Sequence, residues 1–141
     1  MPIKEHPLMG TIVMCDFNSG FREPEMVKRR PVVVISPKIG GRPGLCTVVA
    51  LSQTPPAPVM PYHCQIDIDP ALPAPLSSKG VWVKGDMVNA VGLYRLDLIR
   101  LEKDFRGKRQ YRYDALSADH LKKIRECVLK ALGMSTLTKH L

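Results

Sequence analysis

The run Pro31-Val32-Val33-Val34-Ile35-Ser36 constrains the fold most tightly: a block of β-branched residues entered through a proline. Val and Ile are stiff at χ1 and pack well on a pleated surface, so the block reads as a buried strand. Pro31 has a fixed φ and no N–H, which suits the first residue of a strand and little else in a sheet. It also biases Arg30 toward an extended conformation. Lys28, Arg29 and Arg30 thus stand at a rigid strand mouth, where a guanidinium is well placed to bind phosphate. Taken alone, such a cluster is more often a solvated charge group in front of a core strand.

Further short runs with strand character recur between turn signals: Thr11 to Phe17, Cys46 to Ser52, Val81 to Lys84 and Met87 to Val91. Gly85-Asp86 reads as a bulge or bend between the last two. His63 to Asp69 alternates, with Cys64, Ile66 and Ile68 on one side and His63, Gln65, Asp67 and Asp69 on the other. Strands broken by Gly and Pro, including the Pro-rich stretch Thr54 to Pro61, argue for a small barrel or sandwich. One helix is predicted over residues 117–132, with Ser117 as N-cap, Asp119 in its first turn and Gly133 as its stop. Its apolar stripe is Leu121, Ile124, Val128 and Ala131/Leu132, and Lys122, Lys123, Arg125 and Lys130 form a basic outer face. The expectation is a mainly β fold with a C-terminal helix: a barrel over roughly residues 8–100, a basic hairpin or loop over 101–115, then the helix.

A chain of 141 residues is about one domain, long enough for its own hydrophobic core. Cys15, Cys46, Cys64 and Cys127 form no C-x-x-C pair and lie in apolar runs, which suits reduced core thiols. No apolar leader opens the chain and no run reaches membrane-spanning length, so the expectation is a cytoplasmic protein without a membrane partner. Of the net charge of +8, +6 lies in residues 95–141, which hold 12 Lys/Arg against 6 Asp/Glu. That balance suits a polyanionic or acidic partner without choosing among RNA, DNA and protein, and it equally suits a plain solubilising surface.

Metal and nucleotide chemistry have little support. His63 and Cys64 are strand neighbours that point to opposite faces and cannot easily share an ion. Gly40-Gly41-Arg42-Pro43-Gly44 lacks the Lys-Ser/Thr ending and following helix of a phosphate loop. Ser52 closes one strand and His63 opens the next, so with Arg30 they form a set of polar strand ends that can converge on one rim. Each alone is more often a turn residue or an inert surface group.

These blocks, in order, resemble the PemK/MazF family of toxin endoribonucleases, near a PemK-like branch called YifN. The resemblance is carried by Gly10 to Phe17, by Glu25 with Arg30-Pro31 and its apolar strand, and by Val48 to Ser52. His63 to Asp67 and Val81 to Val88, with Arg95-Leu96 downstream, complete it, so that roughly residues 8–132 are covered. It implies an SH3-like β-barrel acting as a homodimer, metal-independent and without cofactor, that cleaves single-stranded RNA and is inhibited by a cognate antitoxin. DNA contact through the antitoxin complex and growth inhibition are implied with it.

Under the resemblance the family's catalytic Arg falls on Arg30 and its Thr/Ser on Ser52. Glu25 takes the acidic position, and His63 is a candidate proton carrier. Lys28, Arg29, Gln53, Thr54, Lys84 and Asp86 are the expected RNA contacts. The chain departs from the pattern in having Ser rather than Thr at position 52, and Glu23-Pro24 where Gly-Ser is usual. Both changes bear on sequence preference and strength of activity. A barrel of the same fold that holds RNA or an antitoxin-like peptide without cleaving is the alternative reading, with an assembly role behind it.

Overall fold

The structure is a computed structural model that describes residues 2–76 and 80–141. Eight strands appear in chain order: β1 (Ile12–Asp16), β2 (Arg29–Val34), β3 (Leu45–Ser52), β4 (His63–Ile66), β5 (Val81–Gly92), β6 (Leu96–Leu98), β7 (Arg100–Lys103) and β8 (Arg109–Tyr111). Helix α1 (Ala118–Ala131) follows, and 3-10 turns cover Leu93–Arg95 and Ser135–His140. Six strands form one antiparallel sheet in the order β4-β5-β3-β2-β1-β6, and β7 with β8 makes a separate hairpin. The mainly β fold with a C-terminal helix is as expected. Among the described residues the ladder is an open order, with β4 and β6 at its edges.

The all-apolar runs of β2 and β3 follow from their central place, because both faces of the sheet are covered. Val13, Cys15, Val32, Val34, Val48 and Ala50 pack with Phe17, Met26 and Leu96 on one face. Ile12, Val33, Val49, Leu51, Ile66 and Val83 pack with Ile124 of α1 on the other. The two sets alternate along each strand, as the two-residue period of a strand requires.

Strand β2 begins two residues earlier than the sequence suggests, and Pro31 is its third residue. The direction of the backbone donors explains why this is tolerated. Val34 N donates to Thr11 O on the β1 side, and Ile35 N donates to Thr47 O on the β3 side. Position 31 therefore aims its nitrogen toward β3, where the ladder starts only at Val32 opposite Ala50. The missing N–H takes no bond from the sheet.

In β5, Val49 pairs with Val88 while Ala50 pairs with Lys84, so Gly85, Asp86 and Met87 bulge from a single strand. An odd number of extra residues inverts the alternation, and both Val83 and Val88 thereby reach the helix-side core. Gly85 lies pressed between α1 and the start of β4. A β-carbon there would stand 2.6 Å from Tyr62 O and 2.7 Å from the Cβ and carbonyl carbon of Cys127.

Helix α1 is capped as predicted, Ser117 Oγ accepting from His120 N, and Gly133 ends it at φ +74°. Ile124 and Cys127 are its buried residues, whereas Leu132 is 64% exposed, so the predicted stripe fails at its last position. Arg125 turns from the basic face to Met9, its Nη2 lying 2.9 Å from Sδ.

The four cysteines are free thiols. Burial pushes Cys15 up to about 12 and Cys46 up to about 11. Cys64 is lowered, chiefly by a hydrogen bond from the Cys127 thiol, with Lys123 and Lys130 adding to the effect. Cys127 is raised by the same contact and by burial. Thiolate, not thiol, is the nucleophile. Iodoacetamide at mildly alkaline pH is therefore expected to alkylate Cys64 first in the native protein, as read by peptide mass spectrometry. Labelling of Cys15 or Cys46 ahead of it would contradict this order.

Candidate active site

A cleft of about 510 Å³ opens at the mouth of β2, lined by Arg30, Lys84, Met87 and the loop residues Glu23 to Val27. The loop joins β1 to β2 and is fastened by Arg95. That guanidinium donates from Nη1 to Asp16 O at 3.1 Å and to Ser19 O at 2.7 Å, and it lies 4.8 Å from the Phe21 ring centre. Phe21 in turn meets the buried Phe17 edge-on at 5.1 Å. The acidic loop residues Glu23 and Glu25 are thus held over the strand mouth by an anchor from much later in the chain.

Arg30 is half-buried, and its Nε donates to Val27 O at 2.8 Å. Among the described residues neither Nη atom has a hydrogen bond or ion pair. One side of the guanidinium is therefore fixed while two donor groups remain free in the cleft, an arrangement suited to a tetrahedral oxyanion. Lys84 supplies the second cation of the cleft and Glu25 an exposed carboxylate.

Strand register places the other predicted residues. Lys84 lies opposite Ala50 in β3 and His63 in β4, so His63 shares the cleft face. Its side chain is only 9% exposed; Nδ1 accepts from Met60 N at 3.0 Å, and Nε2 lies 3.8 Å from Asp86 Oδ1 in the bulge. Nε2 is the ring nitrogen left for proton exchange.

Continuing the β2–β3 register two residues beyond Val32 and Ala50 brings Arg30 level with Ser52 on the same face. Ser52 is 6% exposed and does not line the cleft. Its Oγ closes a turn, accepting from Thr54 N at 3.1 Å and donating to Thr54 O at 3.2 Å. Gln53 is turned to the 75 region, donating to Pro75 O at 2.7 Å.

Arg29 and Lys28 separate from Arg30. Arg29 points to the opposite face of the strand and pairs with Asp97 at 3.2 Å. Lys28 is exposed at φ +72°, and its carbonyl accepts from Phe17 N. The structure therefore joins Arg30, Glu25 and Lys84 in one cleft, with His63 and Asp86 at its border, Ser52 and Thr54 beside it, and Arg29 elsewhere.

The sequence marks Glu23 only with Pro24, as a departure from the family pattern, and not as a residue of the cleft. Sequence reasoning missed Arg95 as the loop's fastener. That role depends on two backbone carbonyls, one at the end of β1 and one in the loop, for which the sequence carries no mark.

Comparisons with known proteins identify the family. A Haemophilus influenzae protein described only as uncharacterized is 30% identical over 149 residues, covering 97% of this chain and 98% of its own. Crystal structures of Deinococcus radiodurans MazF and of its MazE-MazF complex are similar, at 27% and 26% identity and TM-scores of 0.57 and 0.52. They cover 92% and 93% of this chain, and 99% of the matched chain in each case. A mycobacterial endoribonuclease shares the fold at 18% identity and a TM-score of 0.56, over 92% of this chain and 94% of its own. Residues 9–132 match the family described as PemK-like, MazF-like toxin of type II toxin-antitoxin systems, and it is to this family that the chain belongs.

Proposed function

We propose that the protein is a metal-independent endoribonuclease that cleaves single-stranded RNA at the Arg30 cleft. The observation that carries the reading is the guanidinium itself: Nε bonded to Val27 O, both Nη groups free, beside Lys84 and Glu25. RNA holds its own nucleophile, so the protein need only orient the chain, stabilise charge and move protons. The 2′-oxygen attacks the adjacent phosphorus, the bond to the 5′-oxygen breaks, and a 2′,3′-cyclic phosphate and a 5′-hydroxyl result. Arg30 and Lys84 stabilise the charge that builds on the phosphorane oxygens. A guanidinium stays protonated, so the role of Arg30 is electrostatic. Glu25 receives the 2′-OH proton, and His63 Nε2 is the nearby group able to return one to the leaving oxygen. Ser52 contributes a hydroxyl donor once its bond to Thr54 O is exchanged for a phosphate oxygen. DNA, without a 2′-OH, is spared.

The resemblance to a MazE-MazF complex supports an antitoxin partner for this chain, and a homodimer is the assembly that the family resemblance implies. Cleavage of varied single-stranded RNAs in excess EDTA, with cyclic-phosphate ends, is the expected result for the purified protein. Ser52→Ala should slow it by about ten- to hundredfold, the loss of one hydroxyl donor to a charged group, while Ser52→Thr keeps activity. One observation favours a second reading, a barrel that binds RNA without cutting it: the Ser52 hydroxyl is already committed to its own turn. RNA retained without product in EDTA would select that reading.

A further inference from the structure

We infer that the β7–β8 hairpin is a second contact for single-stranded RNA, pairing phosphates with its cations and stacking a base on Phe105. The proposal rests on the RNA-directed reading above and extends it to a surface outside the cleft. The hairpin tip is built to hold its shape. Asp104 Oδ1 accepts from Arg106 N and Lys108 N, each at 2.9 Å, and Oδ2 accepts from Gln110 Nε2 at 3.1 Å. Asp104 N donates to Lys108 O at 2.9 Å, and Gly107 supplies the turn's φ of +79°. The base is equally fixed. Arg112 is 2% exposed, donates from Nη1 to Pro70 O at 2.7 Å, and its N donates to Ile99 O at 2.9 Å.

This rigid turn displays a phenyl ring that is 92% exposed, with the Arg106 guanidinium 5.2 Å from its centre. Lys103, Arg106, Lys108 and Arg109 along the hairpin and Arg100 at its base are all exposed, while both oxygens of Asp104 are consumed inside the turn. Exposed Glu102 offsets one of the five. A lone ring among cations matches the alternation of base and phosphate along a single strand. A protein partner would call for a broader apolar centre than one ring between Asp104 and Arg106 provides.

A groove on the face of β2 opposite the cleft runs from the strand's first residue to the hairpin base, with Asp97 among its lining residues. Its volume is about 660 Å³, and it is lined also by Arg100 at the hairpin base, by Arg29 next to Arg30 in β2, and by Pro73 to Leu76. An RNA that rounds the mouth of β2 from the cleft to this opposite face meets Arg29, there paired with Asp97, then Arg100, then the tip.

The test is binding of a labelled RNA of about 20 nucleotides, longer than a single cleft holds, measured by anisotropy across a salt series in an Arg30→Ala background. Phe105→Ala is expected to weaken binding about tenfold, and Phe105→Trp to restore it. Lys108→Ala with Arg109→Ala should reduce the salt slope by about 1.4, two phosphate contacts on a single strand. Equal affinities and slopes across these variants would overturn the proposal. So would unchanged RNA affinity together with lost binding of poly-glutamate, which would make the hairpin a docking surface for acidic protein. Because the readout is binding, absence of cleavage by the parent protein would sink the nuclease reading and leave this test intact.

Discussion

Arg30→Ala is expected to slow RNA cleavage by about two to three orders of magnitude, the usual cost of removing one preorganised oxyanion donor. The fold should be untouched, because among the described residues the only bond lost from that side chain is Nε to Val27 O at the cleft edge. Arg30→Lys should recover little: a lysine keeps the charge, but its donors share one nitrogen and cannot hold Val27 O on one edge while facing the phosphate with a planar fork on the other. Single-turnover cleavage of a labelled RNA in EDTA, read beside a thermal melt, separates the two effects. An Arg30→Ala protein retaining more than about a tenth of the parent rate would move the oxyanion role to another residue such as Lys84.

The second large effect is expected in stability. Gly85→Ala places a methyl 2.6 Å from Tyr62 O and 2.7 Å from two Cys127 atoms. Two of these three neighbours are backbone, fixed by β4 and by α1, and so cannot swing aside. Gly85 N also donates to Tyr62 O at 3.0 Å, a bond that relief of the clash would stretch. Overpacking of this kind costs about 3 kcal/mol, which in a chain of this size lowers the melting temperature on the order of 10 °C. Lys84 and Asp86 flank the glycine, so cleavage should fall in the same variant even below its melting point. An unchanged melt would mean that α1 can ride away from the sheet at no cost.

Much of the sheet was legible because its information is local. The apolar runs of β2 and β3 and the alternation of His63 to Ile66 each reflect the faces they cover. Strand β4 stops at Ile66 rather than continuing to Asp69. Its partner β5 begins at Val81, opposite Ile66, and the ladder ends there. Strand β6 was missed because three residues after a 3-10 turn carry no periodicity to read. Leu132 was read as core from helical spacing, but the stop at Gly133 comes before anything can cover it.

The site divides along the same line. That Arg30 and Ser52 share a face follows from counting strand positions once the register is known. The register itself is a matter of pairing, to which no single segment testifies. Lys84 reaches Arg30's cleft only because the β5 bulge begins one residue after it. The sequence marks His63 as a candidate proton carrier but not that its Nδ1 is taken by the Met60 amide, which leaves Nε2.

The two adjacent arginines of β2 do unlike things solely because a strand alternates: one pairs with Asp97 and the other waits in the cleft. Pro31 makes that assignment stable, since sliding β2 by one position would carry the proline into a slot where the sheet asks for an amide proton. The imino acid therefore acts as a frame marker. Deleting one residue from the loop before it should be absorbed by the loop, whereas deleting one between Arg30 and Val32 should hand the phosphate to the wrong arginine.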